Sequence, residues 1–273
     1  MRRCGLPLRR QGATLVCPTG HSYDVARSGY VNLLQPQDRR SLRPGDSRQA
    51  AMARRRLFER GLLEPQVGQL LEAVAALELP ARPAVLDVGC GEGSFLGALA
   101  GEREVAAHGL DISAAAVDLA ARRDGSATWV VANADLSLPY AAGCFDLLLS
   151  LTARLNPREF WRVLADGARL LVAVPGAEDL MELRQALLGA AVLRDRLAPA
   201  VSRLESHFEL ASQSVLRYSV LLDAAAIHDL LAATYRGARN RERARLAGLG
   251  ELRVTMSRQL ASFSPRARPP AGP

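Results

Sequence analysis

The sequence predicts an α/β protein built on a doubly wound, largely parallel sheet, with a small separate module at its N-terminus. From Ala84 onward, short β-type runs alternate with helical stretches, which is typical of parallel strands joined by crossover helices. The first of these runs leads directly into a glycine-rich turn, G-C-G-E-G at residues 89–93. The first 34 residues hold two cysteines and a histidine but too little apolar material for a core of their own.

The order of the predicted elements divides the chain into four parts. Helical periodicity runs from about Arg48 to Leu79, and Pro65 is expected to start a second helix there. The segment after Pro175 is expected to be helical to about Ala191, followed by a strand, a helix and a final strand. The five central strands are predicted at AVLDVG, EVAAHGLD, ATWVVANAD, CFDLLLSL and ARLLVAVP. We therefore predict a module at 1–34, linker and helices at 35–80, the main domain at 81–263 and a disordered tail at 264–273.

Composition limits the compartment and the kind of cross-link. No apolar run approaches the roughly 20 residues that span a bilayer, and the first residues contain no apolar stretch of a signal peptide. We therefore expect a cytoplasmic protein. Four cysteines scattered over 273 residues do not suggest a disulfide framework in such a chain.

Positive charge is concentrated at one end of the chain. The first 60 residues hold 13 arginines against four acidic residues, a local net charge of +9 in a chain whose total is +7. A basic end is expected where a protein meets phosphates, and the clusters at 39–40, 54–56 and 236–245 are candidates for nucleic-acid contact. The alternative is a compositional bias, because every basic residue is arginine and none is lysine.

The glycine-rich turn indicates a bound ligand. Glycines let the backbone lie against a ligand at the carboxyl end of a strand, beside the N-terminus of the following helix. Asp111, which ends the second run, can accept hydrogen bonds from both ribose hydroxyls, and Asp135, after the third run, can border an adenine. The turn is G-x-G-x-G rather than the G-x-G-x-x-G of dinucleotide enzymes, and Asp87 precedes it by two residues. This arrangement resembles class I S-adenosylmethionine-dependent methyltransferases, whose fold is Rossmann-like.

A second resemblance covers nearly the whole chain. The string CPTGHSYDVARSGYVNLL at 17–34 resembles the RlmA family of bacterial 23S rRNA guanine-N1-methyltransferases, and the likeness continues through RPGDS, ARRRLFERG, VLDVGCGEG, REFWRVL and VPGAEDLMELR. The resemblance implies a zinc-ribbon-like module that helps to hold a 23S rRNA hairpin, and a domain that binds S-adenosylmethionine. In the wider methyltransferase family, the aspartate at the position of Asp87 helps to place the methionine end. Homodimerisation is plausible for the family.

These arguments select the candidate site residues. Asp179 is included because it stands where the RlmA family usually has a histidine beside the cofactor. The expected cofactor-binding residues are Asp87, Gly89, Cys90, Gly91, Glu92, Gly93, Asp111, Ile112, Asp135 and Asp179. The expected metal ligands are Cys4, Cys17 and His21, three where a closed zinc site takes four, so a metal-free module stays open as an alternative. No residue is assigned as catalytic, although Asp146 and Asp179 are candidates by location for a base that removes the guanine N1 proton.

Departures from the family pattern keep other functions open. Met1 stands where the module's first cysteine is expected, and Thr152 and Ala153 replace an Ala-Pro step near the fourth strand. The leading hypothesis is a 23S rRNA guanine-N1-methyltransferase acting on a hairpin loop, either as a housekeeping enzyme or in macrolide-type antibiotic resistance. One alternative is a small-molecule methyltransferase. The other is a catalytically silent rRNA-binding or ribosome-assembly factor that retains the cofactor site.

Overall fold

The computed structural model describes residues 5–38, 44–189, 192–234 and 250–267, which form two sheets. A three-stranded antiparallel sheet in the N-terminal module consists of β1 (Arg9–Gln11), β2 (Thr14–Val16) and β3 (Ser22–Asp24). An eight-stranded mixed sheet forms the main domain. Its strands are β4 (Val31–Asn32), β5 (Ala84–Val88), β6 (Ala106–Asp111), β7 (Thr128–Val131), β8 (Phe145–Leu151), β9 (Leu164–Pro175), β10 (Phe208–Asp223) and β11 (Glu251–Pro265).

The large sheet is parallel through its centre and antiparallel at one side. Its strand order is β10-β11-β9-β8-β5-β6-β7-β4, and only the β10–β11 and β11–β9 pairs are antiparallel. The central strands are buried on both faces, as expected when helices cover a parallel sheet on each side. On β5, Val85 packs into one core cluster while Leu86 and Val88 pack into the other. The predicted α/β architecture is therefore confirmed.

Eight helices connect or cover these strands in the described part of the chain. They are α1 (Arg48–Glu59), α2 (Glu64–Ala75), α3 (Ser94–Glu102), α4 (Ala114–Arg123), α5 (Pro157–Val163), α6 (Met181–Leu188), α7 (Leu197–Leu204) and α8 (Ala224–Thr234). Local signals explain several starts. The hydroxyl oxygens of Ser47 and Ser113 accept hydrogen bonds from backbone amides in the first turns of α1 and α4, and Pro65 lies in the first turn of α2.

The segment before α1 packs tightly against the main domain. Gly45 has a φ of +80°, and a Cβ there would lie 2.7 Å from Cβ of Ser113, so this position requires glycine. The hydroxyl of Ser113 donates a hydrogen bond to the carbonyl of Asp46 at 2.6 Å. The sequence indicated only a loop here, yet these contacts place α1 over the carboxyl ends of the parallel strands.

Four features of the secondary structure differ from the sequence-based expectation. Val31 and Asn32 pair in parallel with β7, so the N-terminal part adds a strand to the main sheet. The helix after Pro175 ends at Leu188, because Gly189 caps it in a left-handed conformation. The short helix α7 was not predicted. The last strand continues to Pro265, which pairs with Phe208, so the first two residues of the expected disordered tail are ordered.

No helix in the described ranges combines the length and the apolar character needed to cross a membrane.

Candidate cofactor and target site

A cavity of about 490 Å³ opens at the carboxyl ends of the parallel strands, within the range of small-molecule sites. The glycine turn after β5 and the end of β6 form one side of it. Helices α1, α2 and α8 and strand β11 supply most of the opposite side. All the predicted cofactor-binding residues line this cavity except Gly93 and Asp179.

The glycine turn adopts a backbone that other residues rarely take. Gly89, Gly91 and Gly93 have φ values of +82°, +57° and +81°. A Cβ at Gly89 would collide with the side chain of Ala153, and one at Gly93 would lie 2.6 Å from the Trp129 ring. Gly93 therefore packs inward against the core, while Gly89 and Gly91 present bare backbone to the cavity.

Asp87 is a buried carboxylate with unused hydrogen-bonding capacity. The residue is 2% exposed and lines the cavity, and its Oδ1 has no hydrogen-bond partner among the described residues. Burial, together with the nearby carboxylates of Asp111 and Glu92, raises the pKa of Asp87 to about 8. A buried acceptor of this kind is suited to a cationic or hydrogen-bond-donating ligand.

Asp111 joins the second strand to the glycine turn. Its Oδ2 accepts a hydrogen bond from the amide of Gly91 at 3.0 Å, and its Oδ1 accepts one from the amide of Ser113 at 2.8 Å. Burial raises the pKa of Asp111 even though these amides favour the carboxylate. Ile112, the next residue, also lines the cavity.

The other two residues of the turn are held inside it. Oε2 of Glu92 accepts a hydrogen bond from the hydroxyl of Ser94 at 2.6 Å, and burial raises the pKa of Glu92. Burial also raises the pKa of the Cys90 thiol, so Cys90 is a neutral lining group and not a nucleophile.

Asp135 and Asp179 lie at different distances from the cavity. Asp135 lines it and forms an ion pair with Arg154 at 3.2 Å. Asp179 is buried behind the wall. Its Oδ1 accepts from the amide of Ser257 at 2.9 Å, and its Oδ2 accepts from Arg258 at 2.8 Å. Asp179 therefore does not line the cavity itself, but it contacts Arg258, which does.

The predicted base candidates are both engaged in structural contacts. Oδ2 of Asp146 accepts a hydrogen bond from the amide of Ala84 at 2.8 Å, which is the strand-capping role considered more typical of this position. Asp179 is held by Ser257 and Arg258, as described above.

Several lining residues were not assigned to the cavity from the sequence. Arg54 on α1 donates to Oδ2 of Asp46 at 2.9 Å, and its Nη1 would lie 3.1 Å from a Cβ at Gly91. Gln66 on α2 and Arg258 on β11 also line the cavity. Their position in the cavity could not be predicted, because it depends on tertiary packing between distant segments.

The arginine run on α1 is bound up in ion pairs. Arg55 pairs with Glu59 at 2.6 Å, and Arg56 forms two hydrogen bonds with the buried carboxylate of Asp229. These carboxylates offset the charge of Arg55 and Arg56, whose side chains stay partly exposed, and phosphate binding by this cluster stays a prediction. The clusters at 39–40 and 236–245 lie outside the described residues.

The N-terminal module brings two zinc-type ligands together. Sγ of Cys17 lies 3.2 Å from Nδ1 of His21, and both atoms contact the hydroxyl of Thr19. Hydrogen bonds with Thr19 and His21 lower the pKa of Cys17 to about 6. In the described ranges, no three His, Cys, Asp or Glu side chains are grouped to hold a metal ion, and Cys4 lies outside them. The described side chains thus supply two of the four donors of a closed zinc site.

Comparisons with known proteins agree with this geometry. Residues 85–173 match a family model described as a methyltransferase domain, and residues 3–42 match one described as the RlmA N-terminal zinc ribbon. A 23S rRNA (guanine(748)-N(1))-methyltransferase of Streptomyces fradiae is 36% identical over 84% of this chain and 81% of its own. A protein of Micromonospora griseorubida with the provisional name 23S rRNA (guanine-N(1)-)-methyltransferase is 34% identical over 96% of this chain and 95% of its own.

Solved structures agree on the fold alone. A provisionally named methyltransferase of Bacillus halodurans superposes with a TM-score of 0.52 at 15% identity, covering 71% of this chain and 96% of its own. The YcgJ protein of Bacillus subtilis superposes with a TM-score of 0.51 at 16% identity, covering 74% of this chain and 98% of its own.

Proposed function

This chain belongs to the RlmA family of 23S rRNA guanine-N1-methyltransferases, and from that premise we propose that it methylates N1 of a guanine in a hairpin loop of 23S rRNA. One observation carries the proposal. The bare backbone of Gly89 and Gly91, the buried carboxyl group of Asp87 and the partly buried one of Asp111 line a single cavity large enough for a nucleoside cofactor.

The cavity fits S-adenosylmethionine, which when bound supplies an electrophilic methyl group on a positively charged sulfonium. The unpartnered Oδ1 of Asp87 suits the cationic methionine end, because a buried carboxylate gains most from a positive neighbour. Asp111 would accept hydrogen bonds from the ribose hydroxyls while it keeps the amide of Gly91 in place. Ile112 and Asp135 would border the adenine. Asp179 would contribute to ligand binding indirectly, because it holds the Arg258 guanidinium in place.

Positioning supplies most of the chemistry in this scheme. Methyl transfer is an in-line displacement, so holding N1 in line with the methyl carbon converts a bimolecular encounter into a fixed geometry. The glycine turn and Asp111 fix one reactant, and the walls from α1, α2 and β11 leave the remaining space for a base. N1 lies on the base-pairing edge, so the target guanine must be unpaired and turned out of its stack.

We place recognition of the RNA on the N-terminal module. The exposed side chains of Arg9 and Arg10 on β1 offer positive charge for phosphates. Support for zinc in this module comes from the family model and from the Cys17–His21 pair, with Cys4 as the third expected ligand. Metal analysis of the purified protein tests this part: one zinc per chain supports it, and a metal-free folded protein contradicts it.

The proposal also covers the cellular location of the protein, its biological role and its oligomeric state. Relatives named for activity on ribosomal RNA support a cytoplasmic site of action. A role in macrolide-type resistance predicts that deleting the gene lowers the inhibitory macrolide concentration, whereas a housekeeping role predicts no change. A homodimer predicts twice the monomer mass in sedimentation at micromolar concentration.

Methyl transfer from tritium-labelled S-adenosylmethionine to a 23S rRNA transcript tests the function itself. The proposal predicts label in 23S rRNA that is recovered as N1-methylguanosine. Cofactor binding without transfer to any RNA would indicate the silent assembly factor instead. Transfer to small molecules alone would indicate the small-molecule enzyme.

A further inference from the structure

The cavity extends well beyond the strands that hold the cofactor. Cofactor-binding features follow β5, β6 and β7, whereas Ala173 on β9 and Met256, Arg258 and Leu260 on β11 line the other side. Strand β11 lies three places from β5 in the sheet, which at about 4.8 Å per strand is roughly 14 Å. The part of the cavity beside β11 can therefore hold a second ligand. In the proposed reaction, this ligand is the target base.

Among the described residues, three arginines line this cavity, and Arg258 is the most buried of them. Its side chain is 17% exposed, against 31% for Arg54 and 75% for Arg154. Its Nη1 donates to Oδ2 of Asp179 at 2.8 Å and to the carbonyl of Ser257 at 3.1 Å. These contacts use one nitrogen and fix the orientation of the guanidinium.

The remaining donors of Arg258 are unused. In the part of the chain that the structure describes, Nε and Nη2 make no hydrogen bond, which leaves three N–H donors for a ligand. Two described ionisable groups interact with the guanidinium: Asp179, from the loop after β9, and Tyr218 on β10. Burial raises the pKa of Tyr218, so its hydroxyl stays neutral and does not compete with Asp179.

We propose that Arg258, oriented by Asp179, donates hydrogen bonds to O6 of the target guanine and stabilises the negative charge that forms there during methylation. This inference rests on the proposed function. As the N1 proton leaves to water, its electron pair spreads over N1 and O6. N1 then forms a bond to the methyl carbon as the carbon–sulfur bond of the donor breaks, and the products are N1-methylguanine, a neutral thioether and one released proton. A preorganised cation beside O6 lowers the energy of this charge separation.

The same contact selects guanine over adenine. Arginine offers donors only, and O6 of guanine accepts them, whereas the exocyclic amine of adenine is itself a donor. Gln66 supports this geometry from α2, since its Nε2 donates to the Tyr218 hydroxyl at 3.0 Å beside Arg258. Its amide oxygen has no hydrogen-bond partner within the described ranges and can accept from the guanine amino group.

The test compares full-length Arg258→Gln and Arg258→Lys with the wild type in single-turnover methylation of a 23S rRNA hairpin, measured from pH 6 to 9.5. Arg217→Gln is the matched control, because Arg217 lies on the neighbouring strand, is 65% exposed and does not line the cavity. S-adenosylhomocysteine affinity is measured for each protein by calorimetry. Wild-type binding is also measured for hairpins that carry guanine, inosine or adenine at the target position.

Arg258→Gln is expected to slow methyl transfer by about 100-fold or more, as for loss of one oxyanion donor, and to move the pH–rate profile to higher pH. Its affinity for S-adenosylhomocysteine should stay within threefold of the wild type. Arg258→Lys, which keeps a cation for Asp179 if the glutamine variant does not fold, should be intermediate. The wild type should bind the inosine hairpin, which keeps O6 but lacks the amino group that Gln66 would accept from, more weakly than the guanine hairpin and more tightly than the adenine hairpin.

Three results would overturn the inference. The first is an unchanged rate and pH profile in the variants. The second is a rate loss matched by an equal loss of S-adenosylhomocysteine affinity, which would place Arg258 on the cofactor. The third is equal wild-type binding of adenine and guanine hairpins. Failure of the proposed function is distinguishable, because the wild type itself would then transfer no methyl group to the hairpin.

Discussion

The backbone amide of Gly91 donates a hydrogen bond to Oδ2 of Asp111 at 3.0 Å, which joins the glycine turn to the end of the second parallel strand. The other carboxylate oxygen accepts from the amide of Ser113 at the start of α4. One side chain therefore sets the position of two loops that border the cavity. Its partly buried carboxylate links the backbone of the turn to the proposed ribose contact.

Replacement of Asp111 by alanine should weaken S-adenosylhomocysteine binding by roughly 10- to 150-fold, because hydrogen bonds to a charged group contribute about 1.5–3 kcal/mol. Calorimetry on the purified variant measures this. Asp124→Ala is the control, since Asp124 lies at the exposed end of α4, outside the cavity, and should bind like the wild type. Equal affinity in the two variants would contradict the role of Asp111.

The affinity for S-adenosylmethionine should rise with pH up to about 8. Burial raises the pKa of Asp87 to about 8, so the carboxyl is largely protonated in the free protein at neutral pH, and the cationic ligand favours the carboxylate. Binding should therefore release a proton, which calorimetry detects in buffers of different ionisation enthalpy. Asp87→Asn should abolish the dependence, and a wild-type affinity that is flat between pH 6 and 8 would argue against it.

The same carboxyl should make the ligand-free protein less stable as pH rises. The folded-state pKa lies above the ordinary value of 3.8, so the folded state binds more protons than the unfolded state between those values. The contribution of Asp87 to the free energy of unfolding is full below pH 3.8 and is lost as pH rises through 8. Urea denaturation of the wild type and Asp87→Asn across this window measures the difference, and identical pH dependence in both would contradict it.

Two glycine-to-alanine variants should have opposite effects. Alanine at Gly89 must adopt a φ of +82° and meets the side chain of Ala153, so this variant should lose stability and cofactor affinity. Such backbone strain costs about 1–3 kcal/mol. Alanine at Gly101, within α3 and with no atom within 4 Å of its Cβ, should raise the free energy of unfolding by about 0.5–1 kcal/mol. Urea denaturation compares them, and a neutral Gly89→Ala would refute the close approach.

Replacement of both Arg9 and Arg10 by alanine should weaken binding to a 23S rRNA hairpin and leave S-adenosylhomocysteine affinity unchanged. Each lost phosphate contact should reduce the slope of log affinity against log salt by about 1. Filter binding across a salt series measures the slope. Arg55→Gln serves as the control, because Arg55 already pairs with Glu59. An unchanged slope in the double variant would show that Arg9 and Arg10 on β1 do not contact the RNA phosphates.

Local sequence was sufficient for the cofactor side of the site. Strand β5 and the turn from Gly89 to Gly93 are contiguous, and glycine marks each of the turn's positive φ values in the sequence itself. Sequence patterns also located Asp111, because it ends an apolar run at the carboxyl edge of the sheet. These features could be predicted because each is marked by a short contiguous pattern of residues.

The residues on the opposite side of the cavity, where the target base is proposed to bind, could not be predicted from local sequence. Arg258 lies on a long strand whose alternating pattern indicates only a sheet, and its place in the cavity depends on antiparallel pairing with β9. In the sequence, Arg54 is one of three consecutive arginines and is indistinguishable from a surface cluster. Its contact with Asp46 and its position beside Gly91 arise only when α1 packs over the glycine turn. The strand at Val31 was missed because two residues carry no recognisable periodicity.

Mass spectrometry of 23S rRNA nucleosides from strains with and without the gene tests the central claim most directly. The account predicts N1-methylguanosine at one loop position in the strain that carries the gene, its absence after deletion, and its return with the wild-type gene but not with Asp111→Ala. Identical nucleoside profiles in the two strains would contradict the claim that this cavity directs a methyl group to guanine.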